Sequence, residues 1–234
     1  MKQAILFDLD GTLLPMDQEE FTNGYFKLLA AKMAPHGYEP KSLVDALWMG
    51  VGAMVKNDGG EPNADRFWTV FNQKLGKDCR ADEPIFDAFY REEFKQAVQF
   101  TRPAPISAQL VRAAREKAER VVLATNPIFP LCGQVTRLGF VGLGAAEFDW
   151  VTDYETSHFC KPNPDYYREI LDRFGLSAGD CLMIGNDMEE DMVPAAGLGM
   201  ERFLVTDCLI NPKDRPLTMP HGTLADALEF LRVL

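Results

Sequence analysis

Ala4-Ile5-Leu6-Phe7-Asp8-Leu9-Asp10-Gly11-Thr12 opens on four consecutive apolar side chains and closes on two carboxylates and a glycine. A short uninterrupted apolar run bounded by glycine predicts a strand buried on both faces, the kind found inside parallel sheets. Side chains alternate along a strand, so Asp8 and Asp10 fall on the same side of it. Two close like charges are unfavourable unless a cation binds or one carboxyl is protonated. Turn chemistry accounts for Asp10-Gly11 but not for Asp8.

Downstream of this strand the pattern changes. Phe21, Tyr25, Leu28, Leu29 and Met33 follow helical spacing, as do Leu43, Leu47, Trp48, Val51 and Val55. Phe67, Phe71 and Leu75 form a third set, and Phe86, Phe89, Tyr90, Phe94 and Val98 a fourth. Gly59-Gly60-Glu61-Pro62-Asn63 separates the second set from the third, and Asn63 is placed to cap the third helix. Residues 15–100 therefore read as a small all-helical domain. Arg102-Pro103-Ala104-Pro105 closes it as a linker.

Strand and helix patterns alternate from there to the end. Strands are expected at Val121–Ala124, Phe148–Thr152, Cys181–Ile184 and Phe203–Val205. Helices are expected over 106–117, 130–138, 164–174, 189–198 and 224–231. Such alternation predicts an α/β fold, a Rossmann-like parallel sheet covered by helices on both faces. Residues 1–14 and 101–234 would form this core, with the helical segment inserted after the first strand.

The composition suits a folded chain. Of 234 residues, 47% are hydrophobic and 25% charged. A net charge of −11 disfavours nucleic acid and anionic membranes as partners. A small phosphorylated molecule remains compatible, because a few local cations and a metal ion reverse the field inside a cleft. Five scattered cysteines without metal-like spacing suit a reducing cytoplasm. The apolar start is too short and too acidic for a signal peptide. Monomer and homodimer are both open.

Active sites of open parallel sheets lie beyond the carboxyl ends of the strands. Three further strand ends carry polar residues. Thr125-Asn126 follows the second strand, where a hydroxyl and turn amides can hold phosphate oxygens or cap a helix. Lys161-Pro162-Asn163-Pro164 opens the helix containing Tyr166 and Tyr167, and puts a fixed positive charge beside it or on the surface. Gly185-Asn186-Asp187-Met188-Glu189-Glu190-Asp191 follows the Cys181 strand. Acids suit a first helical turn, which covers Glu189 and Glu190. Asn186, Asp187 and Asp191 together are hard oxygen ligands of the kind magnesium takes.

In order and placement these four segments resemble the motifs of the haloacid dehalogenase superfamily, and the likeness spans essentially the whole chain. Asp8 to Thr12 looks like its first motif, Thr125 its second, Lys161-Pro162 its third, and Gly185 to Asp191 its fourth. The helical insert is similar to the family's cap. The resemblance implies that Asp8 is a nucleophile forming an aspartyl-phosphate and that Asp10 is general acid and then base. It also implies that Thr125 and the amides near Leu9 and Asn126 bind phosphate, and that Lys161 neutralises charge. Magnesium would take Asp8, the Asp10 carbonyl and a residue among Asn186, Asp187 and Asp191. Family phosphatases carry an acid two positions after the nucleophile and dehalogenases lack it, so Asp10 points to phosphate chemistry. Asn186 departs from the family pattern, which places an aspartate there, and both Asn186 and Asp187 stay open as the ligand. A sugar phosphomutase and a non-catalytic binding protein on the same fold are the alternatives. Trp48, Met49, Lys56 and Arg66 are conceivable substrate contacts, although helical spacing favours the aromatic series as packing.

Overall fold

The computed structural model describes residues 1–234. Six parallel strands form one sheet in the order β3-β2-β1-β4-β5-β6. They are β1 (Lys2–Phe7), β2 (Ala118–Leu123), β3 (Trp150–Val151), β4 (Cys181–Gly185), β5 (Glu201–Val205) and β6 (His221–Gly222). Ala4, Ile5, Leu6 and Phe7 are all fully buried, as the apolar run predicts. Phe7 lies level with Leu123 on one side and Ile184 on the other. That register brings Asp8, Thr125 and Asn186 to the same carboxyl edge, where the strand order reverses between β1's two neighbours. Open parallel sheets bind their ligands at such a point.

The period of two divides the core. Ile5, Phe7, Leu123 and Ile184 belong to the larger apolar cluster. Ala4, Leu6, Val122 and Met183 belong to the other. Helices α5 (Ile106–Lys117) and α9 (Leu224–Val233) close the first face with Leu110, Val111, Leu228 and Leu231. Helices α7 (Pro164–Phe174) and α8 (Val193–Gly197) close the second with Tyr166, Tyr167, Ile170 and Ala195. Helix α6 (Leu131–Phe140) follows β2.

Between β1 and α5 the chain holds α1 (Gln18–Met33), α2 (Pro40–Val55), α3 (Asn63–Leu75) and α4 (Glu83–Arg91), with no strand. Their aromatic faces pack into the same cluster as the first sheet face, so insert and sheet share a continuous core. No helix is long and apolar enough to cross a membrane. The five cysteines form no disulfide.

Four local features differ from the sequence expectation. Asn63 does not cap α3 but is its first residue, with a fully buried side chain. The helix start is satisfied instead by main-chain carbonyls, Ser157 for the Asn63 amide at 2.9 Å and Tyr154 for the Ala64 amide at 2.7 Å. The fourth helical set breaks at Glu92, and Glu93–Phe100 continues as a 3-10 segment. The expected helix over 189–198 begins as a wide turn, Met188–Met192, before α8. Pro194 has no N–H for the Glu190 carbonyl, and the Tyr167 hydroxyl donates to it at 2.9 Å. Strand β6 is two residues long and carries no readable periodicity.

Candidate active site

Asp8 stands at the end of β1, 7% exposed. Its Oδ1 accepts from Lys161 Nζ at 2.8 Å and its Oδ2 from the Thr12 hydroxyl at 3.0 Å. Lys161 is buried and also donates to Asp191 Oδ1 at 2.6 Å. Burial opposes the lysine charge, but the Asp191 and Asp8 carboxylates hold its pKa well above the usual lysine value. Asp191 feels the same balance from the other side. Burial pushes it up to about 7 against the pull of Lys161. Its Oδ2 accepts the Asp187 amide at 3.0 Å, so both of its oxygens are engaged by protein.

Asp187 caps the wide turn, with Oδ1 accepting the Glu189 and Glu190 amides at 2.7 and 2.8 Å. Asn186 is almost fully buried. Its Nδ2 donates to the Cys208 carbonyl at 2.6 Å, which turns Oδ1 toward Thr12. The Thr12 hydroxyl lies 3.0 Å from both Asp8 Oδ2 and Asn186 Oδ1. A hydroxyl has one proton to give, so one of these two hard oxygens lacks a donor. No three acidic, histidine or cysteine side chains are grouped to hold a metal. One carboxylate and one amide oxygen converging on a single point are nevertheless compatible with magnesium, which takes few protein ligands and keeps waters. Gly11 permits this approach. It has φ +85°, and a Cβ there would overlap the Asn186 amide.

The main-chain N–H groups of Leu9, Asp10, Thr125 and Asn126 donate to no protein acceptor, whereas their neighbours Asp8 and Ala124 bond Ile184 and Phe7. The Thr125 hydroxyl makes no protein bond either, while the Thr125 carbonyl accepts from Thr152 and Tyr166 at 2.6 and 2.9 Å. Asn126 is fixed by two contacts. Its Oδ1 accepts the Lys161 amide at 3.2 Å, and its Nδ2 donates to Glu190 at 3.2 Å. Asp8, Asp10, Thr125, Asn126, Asn186 and Asp191 all line one cavity of about 340 Å³ between the sheet edge and the insert. Asp187 and Glu190 border it too. Burial pushes Glu190 up to about 7.

Asp10 has a partner that the sequence reading missed. Arg137 on α6 is fully buried and donates through Nη1 to Asp10 Oδ2. Its Nη2 meets Gln134 Oε1, and its guanidinium lies over the Phe129 ring, 4.1 Å from the centroid. Asp10 Oδ1 is buried without a partner. Burial raises the Asp10 pKa and Arg137 acts against it. The available signal was an inverted helix face. Helix α6 exposes Leu131 and Val135 while it buries Gln134 and Arg137. Of the conceivable contacts on the insert, Trp48 lines the cavity, and Met49, Lys56 and Arg66 do not.

A family model for haloacid dehalogenase-like hydrolases matches residues 2–199. The plasmid protein CbbY of Cupriavidus necator is 27% identical over 190 residues, 78% of this chain and 70% of that protein. A ribulose-1,5-bisphosphate 5-phosphatase of Halopiger xanaduensis is 23% identical, over 87% of this chain and 84% of its own. Among solved structures, a HAD phosphatase from Thermococcus onnurineus superposes with a TM-score of 0.59 at 19% identity, covering 99% and 98% of the two chains. With a match running from β1 past the fourth strand-end segment, the chain belongs to the haloacid dehalogenase-like hydrolases.

Proposed function

We propose that the chain is a magnesium-dependent phosphatase for small phosphomonoesters that works through an aspartyl-phosphate on Asp8. One observation carries the reading. Asp8, held by Lys161 at 2.8 Å, faces a cavity beside four main-chain N–H groups and a Thr125 hydroxyl that have no protein acceptor. Unpaired donors around a carboxylate fit an anion bearing several oxygens. The curated relatives named as phosphatases support the same class of substrate.

In the first step an Asp8 oxygen forms a bond to phosphorus as the bond to the leaving oxygen breaks. Asp10 gives that oxygen its proton, and burial, which raises its pKa against the pull of Arg137, favours the protonated form. In the second step water attacks phosphorus, Asp10 takes the proton from that water, and the Asp8–phosphorus bond breaks. Lys161 balances charge on Asp8 throughout, and Asp191 keeps the ammonium in place. Asp8 and Asn186, with the Asp10 carbonyl, would hold magnesium, which when bound offsets charge on the phosphoryl oxygens.

The test is phosphate release from p-nitrophenyl phosphate, with magnesium and with chelator, for the native protein and Asp8→Asn. Magnesium-dependent release that drops at least ~1000-fold in the variant is the expected result. Undiminished release by Asp8→Asn would move the nucleophile elsewhere. No release at any magnesium concentration would remove the phosphatase reading.

A further inference from the structure

The cavity has two chemically different halves. The sheet edge contributes every charged group that lines it, namely Asp8, Asp10, Asp187, Glu190 and Asp191. The insert contributes none. Apart from Gln18 and Thr22, its wall is built from aromatic and aliphatic side chains, among them Phe21, Phe67, Trp68, Phe86, Leu47 and Val51. No lysine, arginine or histidine lines any part of the cavity. The two cations nearest the chemistry, Lys161 and Arg137, are buried behind the carboxylates they pair with.

Few polar groups face inward from the insert. Gln18 and Thr22 line the cavity from α1, and the Tyr25 and Tyr90 hydroxyls bond each other at 2.9 Å, which leaves that pair one proton to donate. The Trp68 indole N–H is buried without a partner in normal hydrogen-bond geometry. A second phosphate bound against this wall would be desolvated without a counter-charge and would face five carboxylates. A polyol would find partners on this wall only at Gln18, Thr22 and the tyrosine pair, and its remaining hydroxyls would lie unpaired against rings and aliphatic side chains. An aromatic or branched apolar group would meet ring faces and edges, the contacts such walls favour.

From this asymmetry we infer that the substrate is a monophosphate ester of a predominantly apolar, aromatic-sized alcohol. It is neither a bisphosphate nor a sugar phosphate. The inference rests on the phosphatase reading for the position of the phosphate. It separates this chain from the Halopiger relative, whose name specifies ribulose 1,5-bisphosphate.

The experiment compares kcat/KM for 2-phenylethyl phosphate, n-hexyl phosphate, glycerol 3-phosphate and ribulose 1,5-bisphosphate. All four are alkyl esters, so leaving-group acidity does not decide the ranking, and p-nitrophenyl phosphate reports whether phosphatase activity is present. The expected result is a preference of about 100-fold or more for 2-phenylethyl phosphate over glycerol 3-phosphate and the bisphosphate. Equal or better turnover of either polar ester overturns the inference and leaves the phosphatase reading standing. If no ester is turned over, the phosphatase reading falls. The inference is then decided by titrating 2-phenylethylphosphonate against 2,3-dihydroxypropylphosphonate on the fluorescence of Trp48 and Trp68. Tighter binding of the dihydroxy compound sinks it. Trp48 is 54% exposed at the cavity wall, so Trp48→Lys is compatible with the fold. This variant and Val51→Lys are expected to lose about tenfold of the aryl preference and gain on the bisphosphate. Correctly folded variants that leave the ranking unchanged would show that the insert wall does not select the alcohol.

Discussion

Arg137 and Asp10 lie 127 positions apart in the chain and form an ion pair whose arginine is wholly shielded from solvent. The pair engages Asp10 Oδ2 and leaves Oδ1, buried and unpartnered, free to face another group. A carboxyl held by one oxygen has a fixed orientation, which proton transfer to a leaving group requires. In the proposed reaction Arg137 would therefore act as a positioning residue.

Removing that hold is expected to separate substrates by their leaving groups. Arg137→Met should lower kcat about 100-fold for an alkyl phosphate, whose alkoxide needs a proton. It should lower kcat far less for p-nitrophenyl phosphate, whose phenolate leaves without one. Arg137→Lys should recover part of the alkyl rate. Equal losses on both esters would assign Arg137 to packing alone.

Why Arg137 escaped the sequence reading, while Asp8, Thr125, Lys161 and Asn186 did not, is a matter of period. Those four follow apolar strands or open a Pro-bounded turn, and polar residues in such places stand out. Gln134 and Arg137 sit at helical spacing on α6, where a polar pair reads as the solvent face; only the exposed Leu131 and Val135 betray the inversion. The aromatic series of the insert shows a related limit. Phe67, Phe86 and Tyr90 are buried as packing residues and line the cavity as well. A helix face pressed against a neighbour and one facing a ligand have the same period of 3.6 residues. The sheet was legible because each central strand is apolar on both faces. The two-residue β6 and the break at Glu92 were not, because tertiary contacts set them.

Asn186→Asp is expected to act in opposite directions with and without magnesium. A second carboxylate beside Asp8 should lower the half-saturating magnesium concentration about tenfold, since ligand charge tunes affinity at oxygen sites. In chelator the same variant should be less stable by about 1–2 kcal/mol. Like charges then crowd, and the Cys208 carbonyl loses the Asn186 amide as donor. Thermal unfolding and calorimetric titration read both effects. Unchanged magnesium affinity would favour Asp187 as the ligand.

Asp149 fastens β3 to β2. Its carboxylate accepts the Val121 amide at 2.8 Å and the Arg120 guanidinium at 3.0 Å, and it also pairs with Arg115. Burial works to raise its pKa, but the Val121 amide, Arg120 and Arg115 together hold it below the usual carboxylate value. The folded state thus binds the proton more weakly than the unfolded chain. Its stabilisation is present above the unfolded carboxylate value near pH 4 and is lost as pH falls through the lower folded one. Asp149→Asn should cost about 1 kcal/mol at pH 7, allowing for the partial exposure of both arginines. The difference from the native protein should shrink as pH falls below the unfolded carboxylate value. Urea unfolding at pH 7, 5 and 3 checks this, and a difference as large at pH 3 as at pH 7 would contradict the electrostatic account.

Gly185, the last residue of β4, controls the lysine from behind. A Cβ there would overlap the Asp191 carboxylate, which bonds Lys161 Nζ at 2.6 Å. Gly185→Ala should displace Asp191 and leave Lys161 with Asp8 as its only carboxylate partner. The expected cost is about 2–4 kcal/mol of stability, because a buried charge loses its partner, and at least a tenfold fall in kcat. The overlap can be separated from a general backbone effect by a double-mutant cycle. In an Asp191→Ala background the obstructing carboxylate is gone, so Gly185→Ala should add less than about 0.5 kcal/mol. Additive losses would mean that the glycine is needed for the strand end itself and not for the placement of Asp191.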